Sequence, residues 1–242
     1  MSFGFTRRFF GSVSKHPGDA DRNEDAFKWS PERSALALSD GATESFDSRL
    51  WARILVRLFV LKPALSMARV NMAIAAFTRR HDPKSMSWSR QAAFDRGSFA
   101  TLLGVTVSPK RDQARVLAIG DTVALLLDGT RLVASFPYTD PDDFRRRPTL
   151  LSTQREHNSF LDRPDQLEAS STVWRLDALA RPRIVCMTDA IAEWFLRRAQ
   201  ADACAGEILL GISDTTELET LVVREREAGR MQVDDSTLLI LE

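Results

Sequence analysis

The chain has 242 residues, a size that suits one large domain or two small ones and buries a substantial core without staples. Its 33 basic residues balance 33 acidic ones, so no overall charge draws it to nucleic acid or to an anionic membrane. Cys186 and Cys204 lack metal-ligand spacing, a usage consistent with a reducing cytoplasm, and Cys186 in its apolar run reads as an inert buried thiol.

From the N-terminus, "FTRRFFGS" (5–12) has the twin-arginine look of an export signal, but the polar stretch that follows rejects it. No segment approaches the ~20 apolar residues that span a bilayer, so the sequence reads as a soluble cytoplasmic protein. Residues 8–14, 25–29 and 34–39 read as strands. Over 46–61, Leu50, Ile54, Leu55 and Leu58 recur at helical spacing, and Pro63 ends that helix. A second helix over 64–80 carries Leu65, Met67, Val70, Ile74 and Phe77. Strands are expected within 97–109, 114–133 and 171–177, with a hairpin turn at Asp128-Gly129.

Between them, 137–168 carries four prolines and the run Arg145-Arg146-Arg147, and reads as a long loop or irregular subdomain. The arginine run is either a solvated loop or a reader of acidic or phosphorylated substrate. Helices over 190–201, with Ile191, Trp194, Phe195 and Arg198 in register, and over 214–228 lead to a closing strand at 234–242. Strands at both ends around paired helices indicate an α+β fold, mostly antiparallel sheets packed under helices. His81 and His157 lie in polar stretches without ligand spacing and receive no role.

Three apolar runs end alike. "ALALSDGAT" (35–43), "RVLAIGDTV" (115–123) and "RIVCMTDAI" (183–191) each deliver an aspartate beside small residues. One Asp-Gly is a turn, because glycine supplies positive φ; three such strand ends suggest a site. "GDADRNEDAF" (18–27) and Asp234-Asp235 add two acidic clusters. The former fails as a calcium loop, with Glu24 at the sixth position and Ser30 at the twelfth. It also fails as an Asp-x-Asp phosphotransfer motif, since no buried strand precedes it. Its remaining reading opens a strand, so that Asp25 joins Asp40, Asp121, Asp189 and Asp234. Like charges so gathered require a cation, and carboxylates suit Mg²⁺ or Mn²⁺. Gly41, Ala42, Gly120 and Ala190 would leave room for the metal and its waters.

"NEDAF", "SDGA", "GSFATLLGV", "AIGDT", "MTDAIAEWF" and "DDSTLLI" resemble, in order and over about 11–242, the motifs of PPM-type (type 2C) metal-dependent Ser/Thr protein phosphatases, compact bacterial members above all. The resemblance implies one domain folded as a four-layer α-β-β-α sandwich of two antiparallel sheets, with two Mn²⁺ or Mg²⁺ ions between them. It implies that Asp40 bridges both ions and the carbonyl of Gly41 binds the second. Asp189 and Asp234 would ligate the first, Glu24 or Asp25 would serve the second, and Asp121 would serve a looser third. Residues 137–168 would be the flap beside the substrate cleft. Hydroxide between the metals would attack phosphoserine or phosphothreonine of a partner protein in line, with a Ser/Thr kinase as counterpart and the enzyme a monomer. Two positions depart from the family. Ala20 stands where many members carry a phosphate-holding arginine, and Ala42 where some carry an acid histidine. Arg22 and His16 are the nearby candidates for those tasks. The alternative reading is a catalytically weak regulatory or phosphoprotein-binding module; a nucleotide-binding enzyme lacks its glycine-rich loop.

Overall fold

The computed structural model describes residues 5–242 apart from Pro17, Ala203 and Cys204, and of Ala20 only the backbone. The sequence readings of Cys204 and of the Ala20 side chain thus lie outside the described residues.

The first sheet runs β1 (Arg7–Val13), β12 (Ser236–Leu241), β11 (Pro182–Met187), β7 (Val123–Asp128) and β8 (Arg131–Phe136). The second runs β10 (Ser171–Arg175), β6 (Gln113–Ile119), β5 (Leu102–Val107), β3 (Ala35–Ser39) and β2 (Ala26–Ser30). Every neighbouring pair is antiparallel. A small pair, β4 (Phe99–Ala100) with β9 (Leu151–Ser152), sits beside them.

The inner strands β3, β5, β7, β11 and β12 are largely buried on both faces, the edge strands less so, and alternation sorts their side chains into layers. Along β12, Leu239 and Leu241 join Phe10, Leu36, Leu38, Val105 and Val116 between the sheets. Leu238 and Ile240 face outward, into a core with α5 (Asp189–Ala201), α6 (Ala205–Gly211) and α7 (Thr215–Glu227). On the other outer face, Ala37, Leu102 and Leu117 meet α1 (Ser48–Leu61) and α2 (Met67–Thr78). The result is helix, sheet, sheet, helix, the four layers expected. Cys186 is fully buried between the sheets, and burial pushes its thiol pKa far up, as suits an inert core residue.

Several elements differ from their expected form. The buried face of α1 carries Trp51, Leu55, Val56, Phe59 and Val60; of the expected Leu50, Ile54, Leu55 and Leu58, Leu55 is buried and the other three are half-buried. The strand expected over 97–109 is β4 and β5, parted at Thr101. Helix α4 (Pro164–Ala169) begins in the stretch read as loop, and α3 (Trp88–Arg96) and α6 lie where the sequence reading assigned no element. The 137–168 segment is not irregular throughout: it holds 3-10 turns at Pro141–Arg145 and Arg155–Asp162, besides β9 and most of α4. It is pinned by the fully buried Asn158, whose amide spans the backbone N–H and carbonyl of Ser152 at 2.9 Å each. A bond from Trp51 Nε1 to the Leu151 carbonyl, 2.9 Å, ties it to α1.

Candidate active site

Antiparallel pairing brings the strand-end acids to one end of the sandwich. Ala26 lies opposite Ser39, so Asp25 before β2 adjoins Asp40 after β3. Leu102 lies opposite Ile119, which brings Asp121 in the β6–β7 link to the same edge. Met187 pairs with Leu238 in the facing sheet, setting Asp189 beside Asp234. Asp40, Asp121, Asp189 and Asp234 line one cavity of about 180 Å³, which Thr43, Pro148 and Leu150 also border. A larger cavity, about 650 Å³, lies against α5 beside Arg145 and Arg197; Glu193 is its only carboxylate among the described lining residues. The gathered aspartates line the smaller one.

The backbone holds these acids firmly. Asp40 N–H donates to Thr101 Oγ1 at 2.8 Å, Thr101 N–H returns to the Asp40 carbonyl at 2.9 Å, and Thr101 Oγ1 is 2.5 Å from Thr122 Oγ1. Gly41 is small for a reason other than space for a metal: a Cβ there would stand 2.9 Å from the Ser48 backbone and 3.0 Å from the Glu24 carbonyl. Gly120 has φ +103°, which favours glycine, and its close neighbour is Thr101. Asp25 Oδ2 accepts from Thr237 Oγ1 at 2.6 Å and Thr188 Oγ1 at 3.3 Å, linking three strand ends.

Burial, then their mutual repulsion, pushes these carboxyls up. Asp25 stands well above the usual range through burial and the charges of Asp235, Asp189 and Asp234, against the lowering bond from Thr237. Asp40 rises likewise through burial and Asp25, Asp189, Asp121 and Asp234. Asp189 reaches about 7, burial and Asp121 outweighing its bond from the Ala190 N–H. Asp121 rises through burial and Asp234.

Lys15, a residue that sequence reasoning passed over, enters this cluster. Its Nζ lies 2.9 Å from Glu24 Oε2, 3.2 Å from Asp234 Oδ1 and 2.6 Å from Thr43 Oγ1. Asp235, 1% exposed, accepts the backbone N–H of Lys15 at one oxygen and that of Glu24 at the other, both at 2.8 Å. Ser48 donates to the second oxygen of Glu24, and Arg226 of α7 donates to the carbonyls of Ser14 and Asp234. Of the sequence candidates, Glu24 and Asp25 adjoin the cavity without lining it, and His16, half-buried in the loop after β1, and Arg22, exposed in the 3-10 turn Ala20–Arg22, are not among its lining residues either.

The donor set fits a hard divalent cation in its chemistry. It is all oxygen, its carboxyls are driven up by one another, and the buried Asp25 Oδ1 has no hydrogen-bond partner. Among the described residues no three Asp, Glu, His or Cys side chains are arranged as a finished metal cage; Glu24 and Asp234 are instead held by the Lys15 ammonium.

The family model described as Protein phosphatase 2C matches residues 14–222, and the chain belongs to that family of metal-dependent Ser/Thr protein phosphatases. Among solved structures it is similar to Stp1, a serine/threonine phosphatase of Staphylococcus aureus, with 12% identity, 100% of this chain and 96% of that one covered, and TM-score 0.56. PppA of Pseudomonas aeruginosa, a key regulatory component of T6SS, is 22% identical over 98% of each chain, TM-score 0.51. The Mycobacterium tuberculosis serine/threonine phosphatase PstP is 15% identical over 97% of each, TM-score 0.51; a PstP catalytic domain with the same values is in complex with 2 manganese ions. At such identities the likeness concerns the fold. No curated protein matches the chain by sequence.

Proposed function

We propose that this chain hydrolyses phosphoserine and phosphothreonine in proteins, using Mn²⁺ or Mg²⁺ held by Asp40, Asp189 and Asp234, by Glu24 or Asp25, and by the Gly41 carbonyl. Asp121 stands beside this group for a looser ion. The observation that carries the reading is the convergence of four aspartates from four strand ends on one cavity, each with a covalently remote acid as its neighbour. A fold retains such repulsion where a cation is to be bound. Bound divalent ions would supply positive charge for the phosphoryl oxygens and acidify a water toward neutrality.

The chain's own residues do the positioning. Thr101 and Thr122 fix Asp40, Thr237 and Thr188 aim the Asp25 carboxylate, and Asp235 clamps the backbones of Lys15 and Glu24. Pro148 and Leu150 bring the 137–168 segment to the cavity rim, in the place of a substrate-bordering flap. The intact acid set disfavours the alternative of a catalytically weak binding module. The test is turnover of an aryl phosphate with Mn²⁺ or Mg²⁺ against an EDTA-stripped control. Metal-dependent turnover is expected; full activity after exhaustive stripping overturns the reading.

A further inference from the structure

Lys15 is more than a surface lysine that strays inward. Its side chain is 11% exposed, and the three N–H donors of an ammonium have three partners here, in Glu24, Asp234 and Thr43. Asp235 Oδ2 adds charge at 3.8 Å. The ammonium is held firmly protonated: burial works against the charge, and the bond to Glu24 and the field of Asp234 outweigh it. Two of its three partners, Glu24 and Asp234, are carboxylates assigned above to divalent ions. The third, Thr43, lines the cavity, and among the described residues that line it there is no lysine, arginine or histidine.

A lysine and a divalent cation repel each other and need the same oxygens, so they exclude one another there. The lysine stem is a flexible four-carbon chain, anchored here through its backbone N–H on Asp235. An ammonium driven off the carboxylates has the cavity mouth at Thr43 as its adjacent polar ground, and a phosphate dianion bound there is the available counter-charge. We propose that Lys15 is a tethered cation with two posts: on Glu24 and Asp234 while the cleft is free of metal, and on the substrate phosphate once divalent ions take those carboxylates. It thereby sets the metal concentration at which the site loads and supplies the phosphate contact that neither Ala20 nor Ala42 provides. This inference rests on the metal-dependent phosphatase reading above.

The experiment uses Lys15→Met, which removes the charge and keeps the bulk, with Lys15→Arg as the conservative partner. Calorimetric titration of the metal-stripped proteins with Mn²⁺ is expected to show tighter binding in Lys15→Met by about tenfold, as one competing charge is gone. Equilibrium dialysis of inorganic phosphate into the Mn²⁺-loaded proteins is expected to show the opposite, about tenfold weaker binding in Lys15→Met, restored in Lys15→Arg. Mn²⁺ affinity equal to wild type overturns the competition, and phosphate affinity equal to wild type overturns the phosphate role. Wild-type protein that binds no Mn²⁺ overturns the underlying metal reading instead. Should Lys15→Met not fold, Lys15→Gln replaces it in both titrations.

Discussion

Two buried acids on either side of α5 show opposite fates. At the helix N-terminus Asp189 lies among Asp121 and Asp234, and its pKa is pushed up to about 7. A turn and a half along, Trp194 Nε1 donates at 3.0 Å to Glu225 of α7, which also accepts from Arg230 at 2.7 Å and Arg224 at 3.1 Å. Glu225 is 1% exposed, yet its pKa is driven down to about 2, the bond from Arg230 outweighing burial. Burial alone therefore does not decide which charge state an acid prefers; the donors around it do. Glu225 is finished by the protein itself. Among the described residues, Asp25, Asp40, Asp121 and Asp189 have no such cationic partner, and under the proposed function a metal ion would complete them.

The largest expected effect follows from breaking the unfinished side. Asp40→Asn should lower metal-dependent aryl phosphate turnover by about 10³-fold or more, the scale of losing a principal electrostatic group. The metal-free variant should melt no lower than wild type, because one repelling charge is gone; near-normal turnover at saturating Mn²⁺ would return "SDGAT" to an ordinary turn.

Next comes the ligand itself. At 100 times its dissociation constant a bound ion adds about 2.7 kcal/mol, roughly 5–10 °C in melting temperature for a chain of this size. Scanning calorimetry should find that rise with Mn²⁺ in wild type and a much smaller one in Asp40→Asn. Equal rises would separate the stabilising ion from Asp40.

The compensated side should respond differently. Glu225→Gln leaves Arg230 and Trp194 poorly matched, at a cost of about 1–3 kcal/mol by denaturant titration, while turnover per folded molecule stays near wild type. A large loss of turnover with unchanged stability would contradict the division between the two sides.

The most gradual effect is with pH, a slope of at most about 1.4 kcal/mol per pH unit for each group. In the metal-free protein Asp189 binds its proton more tightly folded than unfolded. Stability should therefore fall as pH rises from the ordinary carboxylate range, about 4, to about 7. Glu225 has the reverse sign: its contribution is complete above the ordinary glutamate range and is lost as pH falls toward about 2. Melting curves of the stripped protein and of Asp189→Asn between pH 4 and 8 check this; the slope should lessen in Asp189→Asn without vanishing, since Asp25, Asp40 and Asp121 are raised too, and an undiminished slope assigns it to those acids alone.

The strands and the acidic strand ends were legible because apolar runs that close on a small residue and an Asp need only neighbouring residues to be read. The four layers were legible through the resemblance to the phosphatase family. What escaped depends on distant partners. Helix α3 buries no residue fully and exposes Trp88, so it lacks an apolar stripe, and α6 is only seven residues with Gly206 and Gly211 near its ends, a weak helical signal. The 137–168 segment gets its order from Asn158 bonding to Ser152 and from Trp51 reaching Leu151, contacts without a local signature. Lys15 sits in "SKHPG", and only Asp234, 219 positions away, and Glu24 reveal its role. Asp235 read as a spare acid beside Asp234, and its two backbone partners make it a bracket instead.

The bond from Thr237 to Asp25 spans 212 positions and has a consequence for the making of the molecule. Strand β12 inserts between β1 and β11, so the chain must be long enough to deliver it before Asp25 and Asp234 can meet. Contacts of such separation form after local structure, because their loop closure is entropically the most demanding. A growing polypeptide therefore carries the acids long before it carries the site. Neither metal capture nor attack on phosphoproteins can begin on the ribosome until that strand has closed the sheet.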